Sequence, residues 1–108
     1  MNDELPIRCY GMLGSSDDKL LDKFLKNGFH ASDRYTIRSV KAFIDGALGS
    51  RGAALLEPYC DDSNNCGLIL ISTEKFLDLA NRCKIAGFQL CTHAIGDRGN
   101  QMVLDVYS

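Results

Sequence analysis

The sequence predicts an α/β fold of about three parallel strands with intervening helices. Segments with a two-residue apolar period alternate with segments of helical period. That alternation implies parallel strands joined by right-handed crossovers. The composition, 45% hydrophobic and 24% charged over 108 residues, suits a globular chain that can bury a core.

Residues 5–13 read as the first strand, with Pro6 near its start, where a missing N–H is tolerated. A helix over 16–27 follows. Ser15 and Ser16 are its candidate N-caps, and Asp17 and Asp18 put negative charge in its first turn. Leu20, Leu21, Phe24 and Leu25 form its apolar stripe, and Gly28 is its natural stop. The second strand spans 36–45, with Val40, Ala42 and Ile44 on one face and Lys41, Phe43 and Asp45 on the other. A long loop over 46–71 contains Gly46, Gly49, Gly52, Pro58 and Gly67. A loop that long inside a compact domain usually serves a function. Ser72 or Thr73 caps a helix over 73–86, whose stripe is Phe76, Leu79, Ala80, Cys83 and Ala86, and Gly87 ends it. A third strand covers 88–93, alternating Phe88, Leu90 and Thr92 with Gln89, Cys91 and His93. Asp97 is the expected N-cap of a last helix over 97–108, whose pattern is still open at Ser108, as in a segment of something larger.

A net charge of −2 without a basic stripe excludes nucleic acid as an expected partner. No run approaches the roughly 18 apolar residues of a membrane span, and no membrane partner is expected. The acidic start Met1-Asn2-Asp3-Glu4, with no long apolar run after it, argues against a secretory signal. The five cysteines are odd in number and form no Cys-x-x-Cys pair, which excludes zinc-ribbon and thioredoxin-type sites. Cys9, Cys83 and Cys91 read as core fillers, while Cys60 and Cys66 share a loop and are candidates to approach each other. Nothing else points to an oxidising compartment, so a cytoplasmic location is expected.

Two residues stand out as chemical. His93 ends a strand before a tight turn, and ligands in parallel α/β folds bind at the C-terminal ends of strands. It is either a ligand or base, or a hydrogen-bonded turn histidine. Lys41 alternates with core positions on the second strand. It is either a buried amine available for covalent chemistry or a lysine that snorkels to water. Asp45-Gly46 is a turn signal. Gly46, Gly49 and Gly52, with Ser50 and Arg51, are similar to an anion-cradling loop but match no standard phosphate motif. His30, before a polar stretch, is expected to be exposed.

Val40-Lys41-Ala42-Phe43-Ile44-Asp45-Gly46-Ala47-Leu48-Gly49-Ser50-Arg51-Gly52-Ala53-Ala54-Leu55 resembles the central segment of amidohydrolase family 3, which includes enzymes similar to N-substituted formamide deformylase. Glu57-Pro58-Tyr59 with Asp61-Asp62, and Thr92-His93-Ala94-Ile95-Gly96-Asp97-Arg98, extend the resemblance. It implies a partial (β/α)8 TIM barrel holding strands three to five. It further implies that Lys41, carried as a carbamate, and His93 are metal ligands in the parent protein. Asp45, Ser50, Arg51 and Asp97 are then candidates for the active-site mouth or for support of the ligands. One or two divalent ions, zinc by expectation, would activate water against a non-peptide carbon–nitrogen bond of a small amide-type substrate.

The family's His-x-His pair, a further histidine and an aspartate have no counterpart in a chain with two histidines. A catalytic zinc takes three protein ligands plus water. The chain alone is therefore expected to bind no metal tightly, to be inactive, and to self-associate through open strand edges. The alternatives are a small α/β module that binds an anionic ligand at residues 46–52, and a non-catalytic interaction domain.

Overall fold

A computed structural model describes residues 5–108; the acidic start at residues 1–4 lies outside the described residues. The order is β1 (Cys9–Gly14), α1 (Asp18–Asn27), β2 (His30–Ala31), β3 (Tyr35–Phe43), α2 (Thr73–Ala86), β4 (Gln89–His93) and α3 (Asp97–Tyr107). This is a mixed α/β chain with a four-stranded sheet. β3 is its hub. β1 pairs with it in parallel, and β2 and β4 pair with it as well.

The sheet departs from the expected all-parallel set, because β2 runs antiparallel to β3, His30 opposite Ile37 and Ala31 opposite Thr36. The turn at Ser32 makes this possible: its N–H and hydroxyl both donate to the Tyr35 carbonyl, folding the chain back on itself. His30 is half-buried, with its Nε2 enclosed and no hydrogen-bond partner, so the expectation of an exposed histidine is corrected. β1 begins at Cys9 rather than Leu5. Its register with β3 skips one residue between Gly11 and Met12, a bulge.

The described residues fall into two compact units. One comprises those up to Ala42 together with Asn81–Cys91. Its buried side chains are Leu13, Leu21, Ile37, Ser39, Val40, Ala42, Cys83 and Phe88. Asp17, rather than Ser15 or Ser16, caps α1, its carboxylate accepting the Leu20 N–H at 3.1 Å. The helix therefore starts two residues later than the periodicity implied. Gly28 closes it at φ 94°, donating to the Phe24 carbonyl at 2.8 Å. At the end of α2, Gly87 adopts φ 76° and the Phe88 N–H returns to the Cys83 carbonyl at 2.9 Å. This wrap satisfies a last-turn carbonyl and demands a left-handed residue.

The second unit comprises Phe43–Ala80 and Thr92–Ser108. Ile44, Asp45, Ala53, Ala54, Tyr59, Phe76 and Leu79 are its buried centre. Phe76 stacks on Tyr107, ring centroids 6.1 Å apart. The segment read as a long loop lacks helix and extended strand, yet its backbone groups are largely paired. Leu55 donates to Cys66 at 2.7 Å, Tyr59 to Asn65 at 2.9 Å, and Leu70 to Ile44 at 2.7 Å. The Tyr59 hydroxyl donates to the Ala53 carbonyl at 2.7 Å. Among the described residues no helix is long and apolar enough to cross a membrane. All five cysteines are free, Cys60 and Cys66 included.

Candidate functional site

Asp45 lies just beyond the end of β3 and is 1% exposed. A buried carboxylate is costly unless its lone pairs are satisfied. Here three backbone N–H groups satisfy it. Oδ2 accepts from Ala54 at 2.8 Å and Gly96 at 2.8 Å, and Oδ1 accepts from Ile95 at 3.0 Å. Burial pushes the carboxyl up. The Ile95, Ala54 and Gly96 N–H groups and the His93 imidazole outweigh it and hold the group below its ordinary value. Asp45, a candidate for the active-site mouth or for support of the ligands, sits at the centre of a knot. The knot joins the end of β3, the loop at Ala54, and the turn between β4 and α3.

His93 ends β4, and its carbonyl accepts the Ile44 N–H at 2.9 Å, so β3 and β4 finish side by side. Its side chain is 29% exposed, with Nε2 4.0 Å from Asp45 Oδ1. That is a close approach beyond hydrogen-bond distance. The Phe43 ring lies 5.3 Å from the imidazole, tilted by 43°. The sequence thus delivers a half-open histidine at a strand end, held between an aromatic ring and a buried carboxylate.

Asp97 is not the N-cap of α3; Gly96 holds that position without a side-chain cap. Gly96 turns the chain so tightly that the Ala54 carbonyl itself takes the Arg98 and Gly99 N–H groups, at 3.1 and 3.3 Å. Asp97 Oδ1 instead accepts the Leu56 and Arg98 N–H groups, each at 2.8 Å. Arg51 sits at φ 60° and pairs in fork geometry with Asp61, Nη2 to Oδ2 at 2.7 Å and Nε to Oδ1 at 3.2 Å. Its guanidinium stays charged beside Asp61. Ser50 Oγ donates to the Ala47 carbonyl at 3.2 Å. Ser50 and Arg51 brace the loop. The N–H groups of Gly46, Arg51, Gly52 and Ala53 are likewise turned inward on carbonyls of the same loop.

Lys41 is half-buried on β3, and its carbonyl accepts the Ser15 N–H at 3.0 Å. It belongs to the first unit, whereas His93, Asp45, Ser50, Arg51 and Asp97 belong to the second. His93 fits a ligand role: neutral imidazole is a common metal donor, and an adjacent carboxylate is the usual means of orienting one. Among the described residues, however, no group of three or more His, Cys, Asp or Glu side chains is gathered to hold a metal ion. The knot of backbone N–H groups on Asp45 has no short-range sequence signature, and its partners lie 9, 50 and 51 residues away.

A sheet whose adjacent strands end in a buried aspartate and a half-open histidine defines an α/β chain with strand-end polar chemistry. The chain belongs to the amidohydrolase family, whose model, described as "Amidohydrolase family", matches residues 1–108. It is 43% identical over 89 residues to Protein LONG AFTER FAR-RED 3 of Arabidopsis thaliana, which covers 82% of this chain and 15% of that protein. An uncharacterized metal-dependent hydrolase from Pyrococcus furiosus superposes with a TM-score of 0.86 at 32% identity, over 95% of this chain and 22% of the other. A counterpart from Pyrococcus horikoshii OT3 gives 0.85 at 32% identity, over 94% and 21%. The chain thus spans 15–22% of the length of these relatives.

Proposed function

We propose that the chain is the central part of a (β/α)8-barrel, metal-dependent amidohydrolase that cleaves a non-peptide carbon–nitrogen bond of a small amide-type substrate. The observation that carries this is the likeness to a metal-dependent hydrolase over 95% of the chain, at 32% identity and a TM-score of 0.86. Lys41, as a carbamate, and His93 are the ligands this segment would contribute. Carboxylation turns a cationic amine into an anionic oxygen donor suited to hard or borderline ions. One or two divalent ions, zinc first, would supply activated water and polarise the substrate carbonyl. Asp45 and Asp97 hold the strand-end turns in place, and Ser50 and Arg51 stiffen the loop behind them.

The test is made on the full-length protein that contains this segment, purified with its metal and assayed against N-substituted formamides and related amides. Metal-dependent turnover that is lost in His93→Ala and in Lys41→Ala is the expected result. Wild-type turnover in both variants would refute the assignment. The anionic-ligand module loses ground on the loop itself, where Arg51 already holds Asp61 and four backbone N–H groups are turned inward.

A further inference from the structure

We propose that Asp45 is a positioning residue for His93, setting both where the imidazole sits and how it is turned. This rests on the hydrolase reading above for the purpose His93 serves, but the geometry belongs to the chain itself.

Three observations meet at this point. First, the Asp45 carboxylate grips the N–H groups of Ile95 and Gly96, the second and third residues after His93, at 3.0 and 2.8 Å. Second, the preceding residue, Ile44, donates its N–H to the His93 carbonyl at 2.9 Å. The backbone at His93 and just after it is therefore tied to one two-residue stretch, Ile44-Asp45. Third, Oδ1 lies 4.0 Å from Nε2, so the buried charge faces that nitrogen. A carboxylate beside one ring nitrogen of a histidine is the usual means of orienting the ring.

The surroundings are shaped to hold this carboxylate still. Gly99 leaves the space in which Oδ2 sits, since a Cβ there would come within 2.9 Å of it. Ala54 supplies the third N–H, at 2.8 Å, from the loop. A residue needed only to close the loop could be replaced by any pair of acceptors. An oxygen aimed at the imidazole as well is what distinguishes a positioning role.

The experiment compares wild type, Asp45→Asn, Tyr59→Phe and His93→Ala in the intact protein. It reads zinc release to a chromogenic chelator, kcat and KM, and the thermal midpoint. Asp45→Asn is expected to weaken zinc retention on the order of 10–100-fold and to lower kcat with little change in KM. Tyr59→Phe loosens the same loop at Ala53 without touching Asp45, and should retain zinc as wild type does despite a lower midpoint. Wild-type zinc retention in Asp45→Asn, or equal weakening in Tyr59→Phe, overturns the positioning role. If Asp45→Asn does not fold, Gly99→Ala takes its place, because it crowds Oδ2 and keeps the charge. Unchanged zinc release there is equally decisive against the proposal. Wild-type zinc content and turnover in His93→Ala would instead sink the hydrolase reading, a separate outcome.

Discussion

Gly99 and Asp45 are in contact across the knot, and a Cβ on Gly99 would lie 2.9 Å from Asp45 Oδ2. Gly96 is closer still to its neighbour, with a Cβ position 1.9 Å from the Ala54 carbonyl oxygen. The two glycines therefore differ in what substitution does. Gly99→Ala pushes a side-chain oxygen rather than backbone, and should destabilise by about 1–3 kcal/mol, the usual cost of overpacking. Gly96→Ala meets the backbone of Ala54, which cannot swing aside, and should prevent native folding of the turn. Denaturant melts of the two variants check the order, and equal stabilities would contradict the packing described here.

The knot also predicts acid sensitivity. The folded-state value of Asp45 is held below its ordinary 3.8, so its contribution to stability is present above that value. It is lost as pH falls through the lower folded-state value. Wild type should lose stability in this range more steeply than Asp45→Asn, which has no carboxyl to protonate. Parallel pH profiles for the two proteins would remove Asp45 as the cause.

The cysteines should separate by reactivity. Burial pushes the Cys83 thiol up to about 11, against the opposing pull of Arg82. The thiolate is the nucleophile, so Cys83 is masked at neutral pH while exposed Cys60 is not. Alkylation at pH 8 followed by peptide mapping should modify Cys60 well before Cys83. The same shift has a stability consequence: it is neutral below about 9.0, the ordinary value, and destabilising as pH climbs from there to about 11.

Phe76 is fully buried and stacks on Tyr107. Phe76→Ala should cost about 3–5 kcal/mol, whereas Ile85→Ala, on a side chain 87% exposed, should be nearly silent. Chemical denaturation of the two variants tests that contrast.

The 108-residue chain on its own should self-associate. Among the described strands β1 pairs with β3 alone, and its Tyr10 and Met12 are 54% and 51% exposed. Open edges and uncovered apolar side chains recruit other copies. Light scattering should show mass rising with concentration; a constant monomer mass would contradict this.

Much of the fold was legible because its signals are local. The stripe Phe76, Leu79 and Cys83 marks α2, whose bounds in the structure are Thr73–Ala86, and Gly28 and Gly87 stand where α1 and α2 end. The family resemblance rested on contiguous motifs around Lys41 and His93, which a linear sequence displays directly. Capping was less legible. Asp17, Ser15 and Ser16 are all competent caps, and one residue of register decides which carboxylate or hydroxyl reaches an N–H. β2 was missed because two residues carry no detectable period.

By itself the sequence determined the alternation of strand and helix and the family, and it marked Lys41 and His93 as the residues to test for metal-ligand chemistry. The alternation follows from side-chain type and short spacing, and the family from contiguous motifs. Only the tertiary structure decided that Asp45 is a buried clamp, that Asp97 anchors Leu56 rather than capping a helix, and that Arg51 is paired with Asp61. Asp45 and Asp97 could have pointed to solvent with the same local sequence. The partner of each residue is supplied by chain 9 to 51 positions away, and only folding brings those N–H groups and charges into reach.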